Sequence, residues 1–368
     1  MTPEFLEAFR GKRVLVTGHT GFKGSWLSLW LERLGADVAG YSLAPPTSPA
    51  MFDLCGIDEG IRHRIGDIRD LAAMTQFVRE TRPDIVFHLA AQPIVRQSYD
   101  DPLDTVTTNI VGTANLLEAV RALGSPCAVV VVTSDKCYEN RDWIWGYRED
   151  DPMGGHDPYS MSKGATELVV SSWRRSFFGG DSGVRLASAR AGNVIGGGDW
   201  AKDRIVPDCI RAFSKGEKVA LRNPGATRPW QHVLEPLGGY LLLAARLLSQ
   251  NGDDYCSGWN FGPATDDVQP VGRIVRMMVE EWGDDAASTM SNGPHPKEAS
   301  LLSLNCDKAM GLLHWKPCWH LDALVRQTVG WYKQWLDDPA LLRQATLGQI
   351  AAFERAMAER GIGVGSID

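Results

Sequence analysis

The chain has no Cys-x-x-Cys, no His-Glu-x-x-His, no excess of basic charge and no apolar run near the ~18 residues of a membrane span. Each absence removes a class of protein. The seven cysteines, at 55, 127, 137, 209, 256, 306 and 318, are odd in number and widely scattered, which fits reduced cytosolic thiols rather than a disulfide framework or a zinc site. No metal site is expected. Lys and Arg number 38 against 45 Asp and Glu, a formal charge of -7, so there is no broad basic face for nucleic acid, although a local pocket can still take a small anion. Met1 to Arg13 carries Glu4, Glu7, Arg10, Lys12 and Arg13 where a signal peptide needs an apolar core, and a cytoplasmic protein is expected.

What is present is an ordinary globular composition, long enough at 368 residues for two domains or for one domain with a lobe. Arg13-Val14-Leu15-Val16-Thr17 is a β-rich run that leads into Gly18-His19-Thr20-Gly21-Phe22-Lys23-Gly24. A helical pattern follows to Leu34 and stops at Gly35, and Asp37 to Tyr41 reads as a second strand. This is a βαβ unit whose glycines let the backbone turn tightly and meet a pyrophosphate at the helix N-terminus. Gly18, Thr20, Gly21, Phe22, Lys23 and Gly24 are therefore candidate cofactor residues. The acid that many NAD sites place at the end of the second strand is missing, since that place falls near Ser42. Between Tyr41 and Ile61 there is also no Lys or Arg for the extra phosphate of NADP, so NAD is the expected cofactor.

The alternation continues. Gly66-Asp67-Ile68 ends a third strand and suits the adenine edge, and Asp84 to Leu89 is a fourth, leading into Ala90-Ala91-Gln92. Thr105 to Leu123 is a long amphipathic pattern closed by Gly124. Cys127 to Val132 is an apolar run without polar alternation, as a central strand covered on both faces requires. It ends at Thr133-Ser134-Asp135-Lys136, where parallel sheets place their ligands. Val184 to Arg190 reads as a sixth strand. The fold class is α/β, a Rossmann-type doubly wound parallel sheet with a smaller, mixed α/β C-terminal lobe. Residues 1–195 are assigned to the dinucleotide domain and 196–368 mainly to a substrate lobe, with segments near 232–260 and 300–312 returning to the first. Helical patterns cover Leu237 to Leu248 and Val271 to Trp282, and another runs to Arg360 before a Gly-rich end.

Asp157 is a good N-cap and Pro158 suits the first helical position, so a helix is predicted from there towards Gly179-Gly180. Tyr159 and Lys163, four residues apart, share one face of it. The helix dipole and the ammonium both favour tyrosinate, so the phenol is expected to have a lowered pKa and to act as a base.

The glycine loop, Ser134 at a strand end and the Tyr159/Lys163 pair, in that order, resemble the extended short-chain dehydrogenase/reductase family of nucleotide-sugar enzymes. Asn109-Ile110-Val111-Gly112-Thr113, Arg190-Ala191-Gly192-Asn193-Val194 and Arg228-Pro229-Trp230-Gln231-His232-Val233 extend the likeness over nearly the whole chain. Within that family the glycine loop and Thr133-Ser134-Asp135-Lys136 point to 4,6-dehydration, with CDP-glucose as the implied substrate. The resemblance makes Tyr159 the base for the sugar 4-hydroxyl, Lys163 its electrostatic partner, Ser134 the hydroxyl's positioner and Asp135 the acid for the C6 hydroxyl. Lys136 stands where related enzymes carry the C5 base Glu, and is read either as that base or as a charge beside the enolate. Cofactor contacts are implied at Asp67, Ile68, Leu89, Ala90, Ala91 and Thr108, and substrate contacts at Gln92, Asn193, Arg204 and Arg228. A homodimer through Thr105 to Leu123 and Tyr159 to Phe178 is also implied. A 4-epimerase or a dehydratase for another nucleotide is the alternative. A non-catalytic dinucleotide sensor would not need Ser134, Asp135, Tyr159 and Lys163 together.

Overall fold

Short apolar runs become the strands of one parallel sheet. They are β1 (Arg13–Thr17), β2 (Asp37–Ser42), β3 (Arg62–Ile65), β4 (Ile85–His88), β5 (Cys127–Val132), β6 (Val184–Ala191) and β7 (Gly258–Phe261). Their order is β7-β6-β5-β4-β1-β2-β3, and every neighbouring pair is parallel. The computed structural model describes residues 2–202, 204–283, 286–290 and 302–364. From β1 the chain winds outward to β3, then returns beside β1 as β4 and winds the other way. The loops after β1 and β4 therefore diverge, and they open a crevice at the carboxyl ends of the strands.

The longer helices are α1 (Phe22–Arg33), α2 (Leu71–Thr81), α3 (Gly112–Leu123), α4 (Pro158–Ser176), α5 (Ile205–Phe213), α6 (Leu234–Leu248), α7 (Val271–Trp282), α8 (Leu321–Asp337) and α9 (Leu342–Glu359). Strand β5 shows how they share the sheet. Ala128, Val130 and Val132 face a core with Trp26 and Trp30 of α1 and Tyr240 of α6, whereas Cys127, Val129 and Val131 face Phe77, Leu116 and Val170 of α2, α3 and α4. Both faces are covered, so the strand needs no polar alternation.

Two expected elements come out differently. The third strand ends at Ile65, and Gly66 leaves it where an added Cβ would lie 2.5 Å from the Tyr41 phenol. The predicted Thr105 to Leu123 helix is interrupted: a short helix over Pro102–Val106 meets a π-turn over Thr107–Val111 before α3 begins. The π-turn carries Asn109 inward, where its Oδ1 accepts the Gln92 N–H and its Nδ2 donates to Ser162 Oγ, both at 2.8 Å.

After β6 the chain forms small paired strands. Residues 194–195 pair with 231–232 and 218–221 with 287–290, both parallel, and 227–229 pair antiparallel with 268–270. Helix α6 packs on the sheet and β7 joins its edge beside β6. The helix at Asp307–Leu312 is fixed to β7 by Lys308 Nζ, which donates to Ser257 Oγ and Gly258 O. We propose a domain boundary near residue 195 with these later segments returning; residues 300–301 and the last four of the Gly-rich end lie outside the described residues. Helix α9 is tied to α1, where Trp30 Nε1 and the Arg33 guanidinium donate to Glu354. Among the described residues no helix is long and apolar enough to cross a membrane.

Candidate active site

The glycine loop joins β1 to α1. Gly18 has φ +79°, and an added Cβ would lie 2.7 Å from Ala90 N, so the loop needs glycine there for both conformation and closeness to the end of β4. Gly21 caps α1 without a side-chain hydrogen bond, and the first return bond is Ser25 N–H to Gly21 O at 2.8 Å. The N–H groups of Phe22, Lys23 and Gly24 therefore have no partner among the described residues. A Cβ on Gly21 would touch only Gly18 O, at 3.4 Å, which leaves an open cradle in front of those donors. Three free donors, a helix N-terminus and an open cradle fit the diphosphate of a dinucleotide.

The walls of the crevice follow from the neighbouring strand ends. Thr20 Oγ1 donates to Leu43 O at 2.9 Å and shares a hydrogen bond with Ser42 Oγ, which fixes the end of β2. Asp67 is held by the Arg69 guanidinium, which keeps its carboxyl below the usual range, and Arg69 also pairs with Asp104. Buried Ile68 packs against Gly112, where a Cβ would lie 2.5 Å from its Cδ1. Leu89, Ala90 and Ala91 are half-buried after β4, with Leu89 N–H bonded to Thr17 O and Ala90 N–H to Thr17 Oγ1. Thr108 lies half-buried in the π-turn.

Lys23 departs from what its place in the loop suggests. Its Nζ lies 3.4 Å from Tyr240 Oη, among the charges of Arg204, Lys163 and Asp135. Burial pulls the ammonium down to about 7; Arg204 and Lys163 act in the same direction and Asp135 against it.

Helix α4 begins as predicted, with Pro158 at its first position and the Asp157 carboxylate accepting Ser160 N–H at 2.9 Å. Tyr159 and Lys163 are both buried, and Lys163 Nζ lies 6.0 Å from the centroid of the phenol ring. The Tyr159 hydroxyl is not lowered. Burial pushes it up to about 12, the Asp135 and Asp157 carboxylates act in the same direction, and the Ser134 hydroxyl beside it and Arg204 act against them. Desolvation is the largest of these influences and sets the direction of the shift. Burial likewise pulls Lys163 down to about 8, against the charge of Glu167.

Ser134 leaves β5 in extended conformation, accepts the Lys136 N–H and donates to Asp135 Oδ1 at 2.9 Å. Asp135 is 3% exposed, and burial raises its carboxyl towards the protonated form against the charges of Lys136, Lys23 and Arg228 and the Ser134 hydrogen bond. Lys136 is half-buried and its ammonium has no hydrogen-bond partner among the described residues. Asp135 and Tyr159 are electrostatically coupled neighbours, so one pocket holds a candidate acid and a candidate base.

The substrate candidates divide. Arg204 Nη1 pairs with Asp199 Oδ2 at 3.0 Å, and the guanidinium is close enough to bias Tyr159. Arg228 donates from Nη1 to Thr227 O, and its charge acts on Asp135. Half-buried Asn193 has no side-chain hydrogen bond among the described residues. Gln92 is more committed: Nε2 donates to Thr105 Oγ1 and Oε1 accepts Ile94 N–H, which leaves one amide N–H.

Glu167 was not singled out from the sequence, although it stands four residues beyond Lys163 on the same helix face. It accepts from Thr133 Oγ1, from Ser188 Oγ at 2.6 Å, and from Arg190 Nε and Nη2 at 3.0 and 2.9 Å. Burial works against its charge; Arg190 and the two hydroxyls overcome that and hold the carboxyl low. Glu167 thereby fixes the end of β5 beneath Ser134. Among the described residues no group of His, Cys, Asp and Glu side chains could hold a metal ion.

A family model described as GDP-mannose 4,6 dehydratase matches residues 15–328. The curated CDP-glucose 4,6-dehydratase of Salmonella typhimurium is 53% identical over 332 residues, 89% of this chain and 92% of that protein. The UDP-glucose 4-epimerase of Thermus thermophilus, solved in complex with NAD, aligns with TM-score 0.72 at 26% identity over 87% of this chain and 99% of that one. The dTDP-glucose 4,6-dehydratase of Streptomyces venezuelae, solved with NAD bound, shares the fold with TM-score 0.73 at 23% identity over 88% and 97%. The span of the family model and the identity to a curated dehydratase agree with the parallel sheet and its crevice, and the chain belongs to the GDP-mannose 4,6-dehydratase family of extended short-chain dehydrogenases/reductases.

Proposed function

We propose that this chain converts CDP-glucose to CDP-4-keto-6-deoxyglucose with NAD as its cofactor. The observation that carries this reading is the buried Asp135 carboxyl, hydrogen-bonded to Ser134 and biased towards its protonated form. A 4-epimerase needs a base and a positioning hydroxyl. Loss of water needs an acid as well. The 53% identity to the Salmonella typhimurium CDP-glucose 4,6-dehydratase supports both the reaction and the nucleotide.

Tyr159, as tyrosinate, takes the proton of the sugar 4-hydroxyl, which Ser134 positions and Lys163 supports with its charge. Bound NAD would accept the hydride leaving C4 and return it to C6. The 4-ketone acidifies the C5 proton, and Lys136, as its neutral amine, removes it. Asp135 gives its proton to the C6 hydroxyl, and water leaves across C5 and C6. Lys136 then returns a proton to C5, and the proton that Tyr159 took passes through solvent to restore Asp135, so the net change is loss of one water. Gly18, Thr20, Gly21, Phe22, Lys23 and Gly24 hold the diphosphate side of the cofactor; Asp67, Ile68, Leu89, Ala90, Ala91 and Thr108 line its remaining length. Asn193, Arg204 and Arg228 meet the substrate diphosphate and the last N–H of Gln92 meets the hexose.

The protein acts in the cytoplasm as a homodimer. Exposed Tyr99, Leu103, Val111, Met161 and Leu168, on and near α3 and α4, are the apolar surface a second copy would cover. Turnover of CDP-, dTDP-, GDP- and UDP-glucose in parallel tests the reading. CDP-glucose should give the alkali-sensitive ultraviolet absorbance of a 4-keto-6-deoxy sugar most efficiently; preference for another nucleotide would contradict the assignment.

A further inference from the structure

Gly192 stands just beyond the carboxyl end of β6, beside the pocket. Its φ does not lie in the left-handed region, so an L-residue could adopt this backbone and glycine is not needed for conformation. Space is the constraint. A Cβ at this position would lie 2.9 Å from Asp135 Oδ2, 3.5 Å from Asp135 Cγ and 3.1 Å from Pro229 Cγ. Asp135 has little freedom to withdraw, because its other oxygen accepts from Ser134 Oγ at 2.9 Å and the residue is 3% exposed.

We propose that the missing side chain at Gly192 is what sets the aim of the Asp135 carboxyl, which makes Gly192 a positioning residue for water elimination and not for the hydride step. Ser134 holds one carboxyl oxygen from the β5 side, and Gly192 leaves room for the other on the β6 side. Any larger residue turns the carboxyl away from the direction in which it would reach a C6 hydroxyl. No Tyr159 atom is among the three nearest to such a Cβ, and the proposal leaves the base in place. The inference rests on the assignment of Asp135 as the acid.

The test is a pair of double-mutant cycles on the full-length protein. In the kinetic cycle, Gly192→Ala should lower the rate of water elimination about 10²-fold, the scale of a 1 Å misplacement, while single-turnover reduction of NAD by CDP-glucose falls much less. Adding Gly192→Ala to Asp135→Asn should cost nothing further in elimination. Equal slowing of both steps, or full additivity, would overturn the proposal. The stability cycle reads the contact without any turnover. Gly192→Ala should lower the thermal midpoint when Asp135 is present and do so much less in an Asp135→Ala background; equal loss in both would mean that the clash is with Pro229 and would overturn it. If the unmodified protein forms no 4-keto-6-deoxy sugar, the proposed function fails, and the stability cycle still reports on the contact.

Discussion

Ser134 Oγ donates a hydrogen bond to Asp135 Oδ1 at 2.9 Å, so the hydroxyl assigned to the first proton transfer also holds the carboxyl assigned to the loss of water. The two half-reactions meet in one contact, and substitution should separate them. Asp135→Asn keeps the shape and removes the acid. C4 oxidation should persist while water loss slows by about 10²–10⁴-fold, the usual worth of a general acid, and reduced cofactor should accumulate in a single turnover. An unchanged yield of product would refute the role of Asp135.

Tyr159→Phe removes the base and little else. The first hydride transfer should fall by about 10²–10⁴-fold, so rapid mixing with CDP-glucose should show almost no reduced-nicotinamide absorbance. Normal formation would exclude Tyr159 as base.

The pH dependence of that step follows from the pair. Burial places the Tyr159 phenol up at about 12 and the Lys163 ammonium down at about 8. The pair loses its first proton near 8, and tyrosinate with ammonium is one tautomer of the state that results. The single-turnover rate should rise about tenfold per pH unit below about 8 and level off above it. Lys163→Met removes the lower step, so the rate should keep rising with pH. A flat profile below about 8 would contradict the coupling.

Lys136→Gln should leave C4 oxidation in place and suppress removal of the C5 proton. In deuterated solvent the unmodified protein should place deuterium at C5 of the product, and the variant should form labelled product far more slowly. Wild-type labelling rates would remove Lys136 from this role.

Glu167 and Arg190 form a buried pair with side chains 4% and 5% exposed. Arg190→Met leaves the carboxylate uncompensated and should cost about 3–5 kcal/mol, read as a fall in the urea midpoint. The folded carboxyl titrates below its ordinary value, so this stabilisation is full above the unfolded pKa near 4.5 and is lost as pH falls through the lower, folded value. A loss no larger than that of an exposed pair would contradict it.

The parts of the fold that were legible in the sequence are those whose causes are local. Arg13 to Tyr41 holds strand, glycine loop, helix and strand in one continuous stretch, and Asp157-Pro158 marks the start of α4 within two residues. Tyr159 shows where this fails. Helix end and ammonium are visible in the sequence, but its pKa is decided by burial, which depends on elements far along the chain. The head of Lys23 is placed by Tyr240, and the edge of the sheet is completed by Gly258–Phe261 after the lobe has intervened. No local pattern marks Gly192 either, because its neighbour Asp135 is near only across two strands.

The most direct measurement follows the hydrogen itself. CDP-glucose labelled with deuterium at C4 should give, with catalytic NAD, a 4-keto-6-deoxy product carrying that deuterium at C6. Deuterium left at C4 of a CDP-galactose product, or lost to a stoichiometrically reduced cofactor, would contradict a cycle of oxidation, dehydration and hydride return in this crevice.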